Sequence, residues 1–192
     1  AAGALESENV AAAVDFGVTA EGHPYLVMEY LDGLSLAALL AALGPLPVER
    51  AADLVAQACA GMQRAHEAGV IHRDIKPQNL FVCRRGDETD LVKVVDFGIA
   101  KLLDGRGATG LTSTGAMVGT PSYMAPEQAR GESNVGARAD VYALGVILYE
   151  LLSGHTPHPG DSHNAVIHHI STQPPLPLAS HGRELPAELI AI

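Results

Sequence analysis

The stretch His72–Asn79, HRDIKPQN, puts three chemically useful side chains on one short, turn-rich segment. Asp74 can accept a proton, Lys76 can neutralise phosphate charge, and Asn79 can offer its amide oxygen to a hard cation. Further along, Asp96 closes the apolar run LVKVV and is followed by Phe97 and the flexible Gly98. A strand-end carboxylate facing the asparagine suits Mg²⁺ held against nucleotide phosphates. The plainer reading, loop polars that cap a helix end and a turn, accounts for each residue alone but not for the set.

Side chains so spaced need a frame. Residues 10–18 and 24–31 read as two strands joined by a turn at TAEGH. SLAALLAAL (35–43) reads as a helix with Ser35 as N-cap and Gly44-Pro45 as its stop. A longer helix should run from Pro47 to about Ala68, with Leu54, Val55, Ala58 and Met62 on its inner face. After the loop come the apolar tetrad LFVC, the polar turn RRGDETD and the strand LVKVV, which ends at Asp96. Asp140 is expected to start a buried helix, and residues 162–171 a short one. The Pro-laden tail cannot be regular helix or central strand.

Composition narrows the function class. A net charge of −10 argues against a dedicated nucleic-acid binder, since phosphate neutralisation needs a basic face. With 47% hydrophobic and 18% charged residues the 192-residue chain is a folded domain or two small lobes. Cys59 and Cys83 set up no disulfide framework, which points to a reducing compartment. No signal peptide is visible, and Val141–Leu152 is too short and polar to span a membrane. The His-rich stretch from His155 to His169 lacks a helix face or Cys partners for zinc and reads as a surface loop and short helix.

Three motifs stand in order: His72-Arg73-Asp74 with Asn79, Asp96-Phe97-Gly98, and Ala125-Pro126-Glu127. In this order the chain resembles the bacterial eukaryotic-like serine/threonine protein kinases, from Val10 onward. The resemblance implies an α+β, protein-kinase-like fold: a small-lobe remnant (1–28), a hinge (29–33) and a mostly helical large lobe (34–192). It implies Mg²⁺ (or Mn²⁺) and ATP as cofactors and a protein Ser/Thr hydroxyl as acceptor, with autophosphorylation in trans. Asp74 would be the base, Lys76 would steady the transferring phosphoryl group, and Asn79 with Asp96 would hold the metal. Met28 is similar to the residue guarding the adenine pocket, Glu29 to Leu31 to the hinge, and Phe81 to the pocket floor. Met28 and Phe81 also serve as plain core residues.

The resemblance also assigns Arg73 to a phosphorylated loop residue, with Thr112, Ser113 and Thr114 as candidates. GTPSYMAPEQ (119–128) would dock the substrate, and Thr120 would bridge Asp74 and Lys76. Asp140 would tie the catalytic loop to the central helix, or simply cap that helix. Two look-alikes fall away by position. Asp15-Phe16-Gly17 precedes the HRD loop and reads as strand and turn. GRGATG (105–110) lies after Asp96, where a phosphate cradle does not belong.

A Gly-rich loop, a β3-type lysine and an αC glutamate are not found ahead of His72, and Val92-Lys93 lies on the wrong strand to replace them. The arginine that would pair with Glu127 is not found either, which makes Glu127 a weak point. The 192 residues alone are therefore expected to be weakly active or inactive. The expected location is cytoplasmic, with room for a membrane tether beyond Ile192. A pseudokinase-like scaffold and a small-molecule phosphotransferase remain the alternatives.

Overall fold

The structure is a computed structural model and describes residues 7–85, 88–97, 121–183 and 185–190. Strand β1 (Ala13–Val18) pairs antiparallel with β2 (Pro24–Met28), placing Phe16 opposite Leu26 across the turn at Gly22. Both strands are shorter than their apolar runs suggest. The chain leaves the ribbon after Met28, and residues 9–11 bond elsewhere. Asp15-Phe16-Gly17 lies on β1, in keeping with a structural role.

A second sheet has the order β3 (Gly33–Ser35), β4 (Leu80–Arg85), β5 (Glu88–Val94), antiparallel throughout. Strand β3 was not foreseen, because three residues are too few to show alternation. Leu80, Val82, Val92 and Val94 alternate onto the buried face. Phe81 and Lys93, directly paired, share the opposite face.

Helix α1 (Leu36–Leu43) begins as its sequence dictates: Ser35 Oγ accepts the Ala38 amide, and Gly44, at φ 67°, closes it. Helix α2 (Val48–Glu67) buries Ala51, Leu54, Val55, Ala58, Met62 and Ala65 along one stripe. That stripe packs on α4 (Ala137–Ser153), whose Ala143, Leu144, Ile147 and Leu151 face it in the core. Each large aliphatic side chain buried here contributes about 1.5–3 kcal/mol. A short α3 (Pro126–Ala129), then α5 (His163–Thr172) with Ser162 as its cap, and α6 (Ala187–Ile190) complete the helices.

Two expectations need correction. The central helix begins at Ala137, not at Asp140, with extended Gly136 as its N-cap. Asp140 lies in the first turn instead, and its carboxylate is used elsewhere. Nor are all the histidines superficial: His158 is 4% exposed.

The N-terminal segment is strapped to β5. Val94 N–H donates to Asn9 O at 2.9 Å, Ala11 N–H donates to Val94 O at 2.9 Å, and Asn9 Nδ2 donates to Val92 O at 3.0 Å. Gly61 of α2 admits this strap, since a Cβ there would lie 2.5 Å from the Asn9 carbonyl oxygen. In an ordinary helix Gly→Ala gains about 1 kcal/mol. Here the obstacle is backbone already fixed by Val94, and overpacking costs about 1–3 kcal/mol. Gly61→Ala is therefore expected to lower stability in urea unfolding, and a more stable variant would contradict the close approach.

Candidate active site

The His72–Asn79 loop sits between α2 and β4 and is pinned from below. Asp140, 1% exposed, accepts three hydrogen bonds. Its Oδ2 takes the His72 amide at 3.0 Å and His66 Nε2 at 2.8 Å, while Oδ1 takes the Arg73 amide at 2.8 Å. Arg73 adopts φ 66°, a region that a non-glycine residue occupies only when its surroundings enforce it. Next to it, Lys76 Nζ meets Asp74 Oδ2 at 2.8 Å. The structure thus pairs the proposed base with the proposed phosphate-steadying lysine. Pro77–Asn79 form one 3₁₀ turn that buries Asn79.

His72 stitches this loop to the segment before Asp96. Its Nδ1 accepts the Asp74 amide at 3.3 Å, so Nε2 carries the proton and donates to Val95 O at 2.9 Å. Its ring lies 5.0 Å from that of Phe97. Both ring nitrogens are satisfied only in the neutral form. Burial pushes the imidazole below its ordinary range, against the pull of Asp140, Asp74 and Asp96. His158 is lowered in the same direction by burial, then by His169.

Their contribution to stability is thus present above about pH 6.5 and lost as pH falls, because the unfolded chain takes up the protons first. The urea midpoint is expected to drop from about pH 7.5 to about pH 5. A constant or rising midpoint would contradict neutral burial.

Val95 N–H donates to Asn79 O at 2.9 Å, so Asp96 follows directly on a residue bonded to both ends of the His72–Asn79 loop. Asp96 is exposed at φ 61°, which turns the chain out of its strand. Asn79 Nδ2 donates to the Asp74 carbonyl at 2.9 Å, which directs the amide oxygen away from that carbonyl. One carboxylate and one amide oxygen fit Mg²⁺, which keeps waters and phosphate oxygens as its other ligands. Among the described residues no cluster of three or more His, Cys, Asp or Glu could hold a metal, and Mg²⁺ held in this way needs none.

At the other edge Glu29 bonds Lys93 at 2.7 Å and accepts the Ala12 amide at 2.8 Å. Burial works to raise the Glu29 carboxyl, but the lysine and the amide outweigh it and hold it below the usual range. Since Phe81 pairs with Lys93, this ion pair draws the segment after β2 toward Phe81. Met28 is 41% exposed, so it is not the core residue that its side chain alone suggests. Leu31 is half-buried. The role of Lys93 escaped the sequence reading. Its one trace there is a cation between valines on a strand.

In the segment 121–128, Tyr123 O–H donates to Glu150 Oε2 at 2.7 Å. Glu127 lines a cleft of about 760 Å³ with Arg130, Arg138 and Tyr142, and no catalytic-loop residue borders it. Gln128 joins the two regions, its Nε2 donating to Arg73 O at 2.9 Å. Gly98, Thr112, Ser113, Thr114, Thr120 and the GRGATG stretch lie outside the described residues.

Comparison with known proteins shows the family. The protein kinase domain family matches residues 2–185. The serine/threonine-protein kinase PknB of Mycobacterium leprae is 40% identical over 194 residues, covering 100% of this chain and 30% of the relative. The serine/threonine-protein kinase pkn3 of Myxococcus xanthus is 44% identical over 179 residues, covering 92% and 32%. The chain thus spans about a third of the length of these relatives. A crystal structure of Rad53 1-466 in complex with AMP-PNP superimposes with a TM-score of 0.70 at 26% identity, covering 87% of this chain and 39% of that one.

Proposed function

The chain belongs to the protein kinase family, and from that premise we propose that the complete protein transfers the γ-phosphoryl group of ATP to Ser or Thr hydroxyls of proteins. The observation that carries the reading is the joining of the Asp74 loop to the segment before Asp96 through His72, Val95 and Asn79. It supports the reading because Asp74, Lys76, Asn79 and Asp96 then belong to one braced scaffold.

In this reading Asp74 accepts the acceptor hydroxyl's proton, and Lys76, already paired with it, adds positive charge beside the transferred group. Asn79 and Asp96 would hold Mg²⁺ (or Mn²⁺), which neutralises phosphate charge when bound. Residues 29–33 act as the hinge and Phe81 as the adenine floor, with Met28 and Leu31 at its rim. Residues 1–28 belong to the small lobe and 34–192 to the large one. Thr120 and Lys76 favour a Ser/Thr acceptor. Arg73 is the receiver for a phosphorylated Thr112, Ser113 or Thr114, reached by autophosphorylation in trans. No described helix is long and apolar enough to cross a membrane.

The 192 residues contain no phosphate-cradling glycine loop ahead of His72, and phosphate positioning is most of what this catalysis requires. Transfer is therefore proposed for the whole protein and little of it for this chain alone. The test offers the whole protein Mg-ATP with a Ser/Thr-containing protein and, separately, a panel of small hydroxyl and amino acceptors. Label on the protein alone supports the reading. Label on a small acceptor would replace it with a small-molecule phosphotransferase, and no label with a scaffold.

A further inference from the structure

We propose that Gln128 is a positioning residue for the catalytic base, locking the docking stretch to the peptide plane that carries Asp74. Its Oε1 accepts the Ala125 amide at 2.9 Å and its Nε2 donates to the Arg73 carbonyl at 2.9 Å. The inference rests on the reading of Asp74 as the base.

The Arg73 carbonyl and the Asp74 amide belong to one planar unit. Rotation of that unit swings the Asp74 side chain. Arg73 stands at φ 66°, so this residue does not rest in a preferred well and needs outside restraint. Asp140 of α4 accepts the Arg73 amide and so holds the preceding peptide plane. The plane that carries Asp74 has two holds: His72 Nδ1 accepts the Asp74 amide at a longer 3.3 Å, and Gln128 fixes the Arg73 carbonyl. Of these, the Gln128 bond alone comes from the docking stretch, so it alone makes the orientation of Asp74 depend on that stretch.

The side chain must both accept and donate, and glutamine does so where a carboxylate cannot. The accepting half is ordinary local capping at the start of α3, with Ala125 fully buried. The donating half reaches across 55 positions of sequence and has no such local purpose.

Gln128→Glu separates the halves in the full-length protein, because it keeps an oxygen for Ala125 and removes the donor to Arg73. Gln128→Leu removes both. For Gln128→Glu, amides in 72–76 are expected to exchange with solvent about tenfold faster, while 121–129 keep wild-type protection. The turnover rate on a Ser/Thr peptide should fall about tenfold, with the KM for ATP unchanged. Gln128→Leu should lose protection in both segments.

Wild-type exchange across 72–76 in Gln128→Glu would overturn the proposal, as would an unchanged turnover rate in an active protein. A wild-type protein that transfers no phosphate would sink the kinase reading instead, and the exchange result would still decide the role of Gln128.

Discussion

Asp74→Asn is expected to lower the single-turnover rate of phosphoryl transfer by about 10²–10⁴-fold while the protein stays folded. Asparagine matches aspartate in shape but cannot take the hydroxyl proton. The change also removes the negative charge from the contact with Lys76 Nζ at 2.8 Å. That pair is partly exposed, at 23% and 40%, and such pairs contribute only about 0–1 kcal/mol. The Asp74 carbonyl that receives Asn79 is backbone and survives the substitution. Activity should therefore collapse without a matching fall in the unfolding midpoint. A variant that keeps a tenth or more of the wild-type rate would remove Asp74 from the role of base.

The largest stability effect is expected at Asp140. Its carboxylate is 1% exposed and holds two loop amides and the His66 ring, at 2.8–3.0 Å. Asp140→Ala leaves the His72 and Arg73 amides without an acceptor, at about 1–3 kcal/mol each, together with the lost bond to His66. The sum, on the order of 3–5 kcal/mol, is a large share of the roughly 5–15 kcal/mol that holds a domain together. Denaturant unfolding should show it directly. Asp140→Asn should cost less, because one oxygen remains to accept. A loss below about 1 kcal/mol for Asp140→Ala would mean that the loop does not depend on this anchor.

The contrast between these two aspartates explains what the sequence could reveal. That Asp74, Lys76 and Asn79 come together was legible because they share one local turn, and local spacing survives in a string of letters. Asp140 was half legible. As a carboxylate near the start of an apolar run it reads as a helix cap, and only the family resemblance suggested its role with the loop. The structure gives the cap to Gly136 and the carboxylate to residues some seventy positions earlier.

Gln57 of α2, which satisfies backbone groups within β5 by accepting the Val92 amide and donating to Asp90 O, carried no signal. Neither did Lys93, whose partner Glu29 lies 64 positions away. A polar residue that meets its partner only after folding has no period and no motif. Helices α1, α2 and α5 were read closely because capping and 3.6-residue periodicity are local. Strand β3 was missed because its definition lies in Val82 and Cys83, not in its own three residues.

The central claim is that this braced loop serves transfer of phosphate to protein Ser or Thr hydroxyls. Its most direct test is the identity of the labelled amino acid after the full-length protein has met γ-labelled Mg-ATP and a protein acceptor. Phosphoserine or phosphothreonine, formed only with the divalent metal and lost in Asp74→Asn, is the predicted result. Phosphotyrosine, or label that persists in Asp74→Asn, would contradict it.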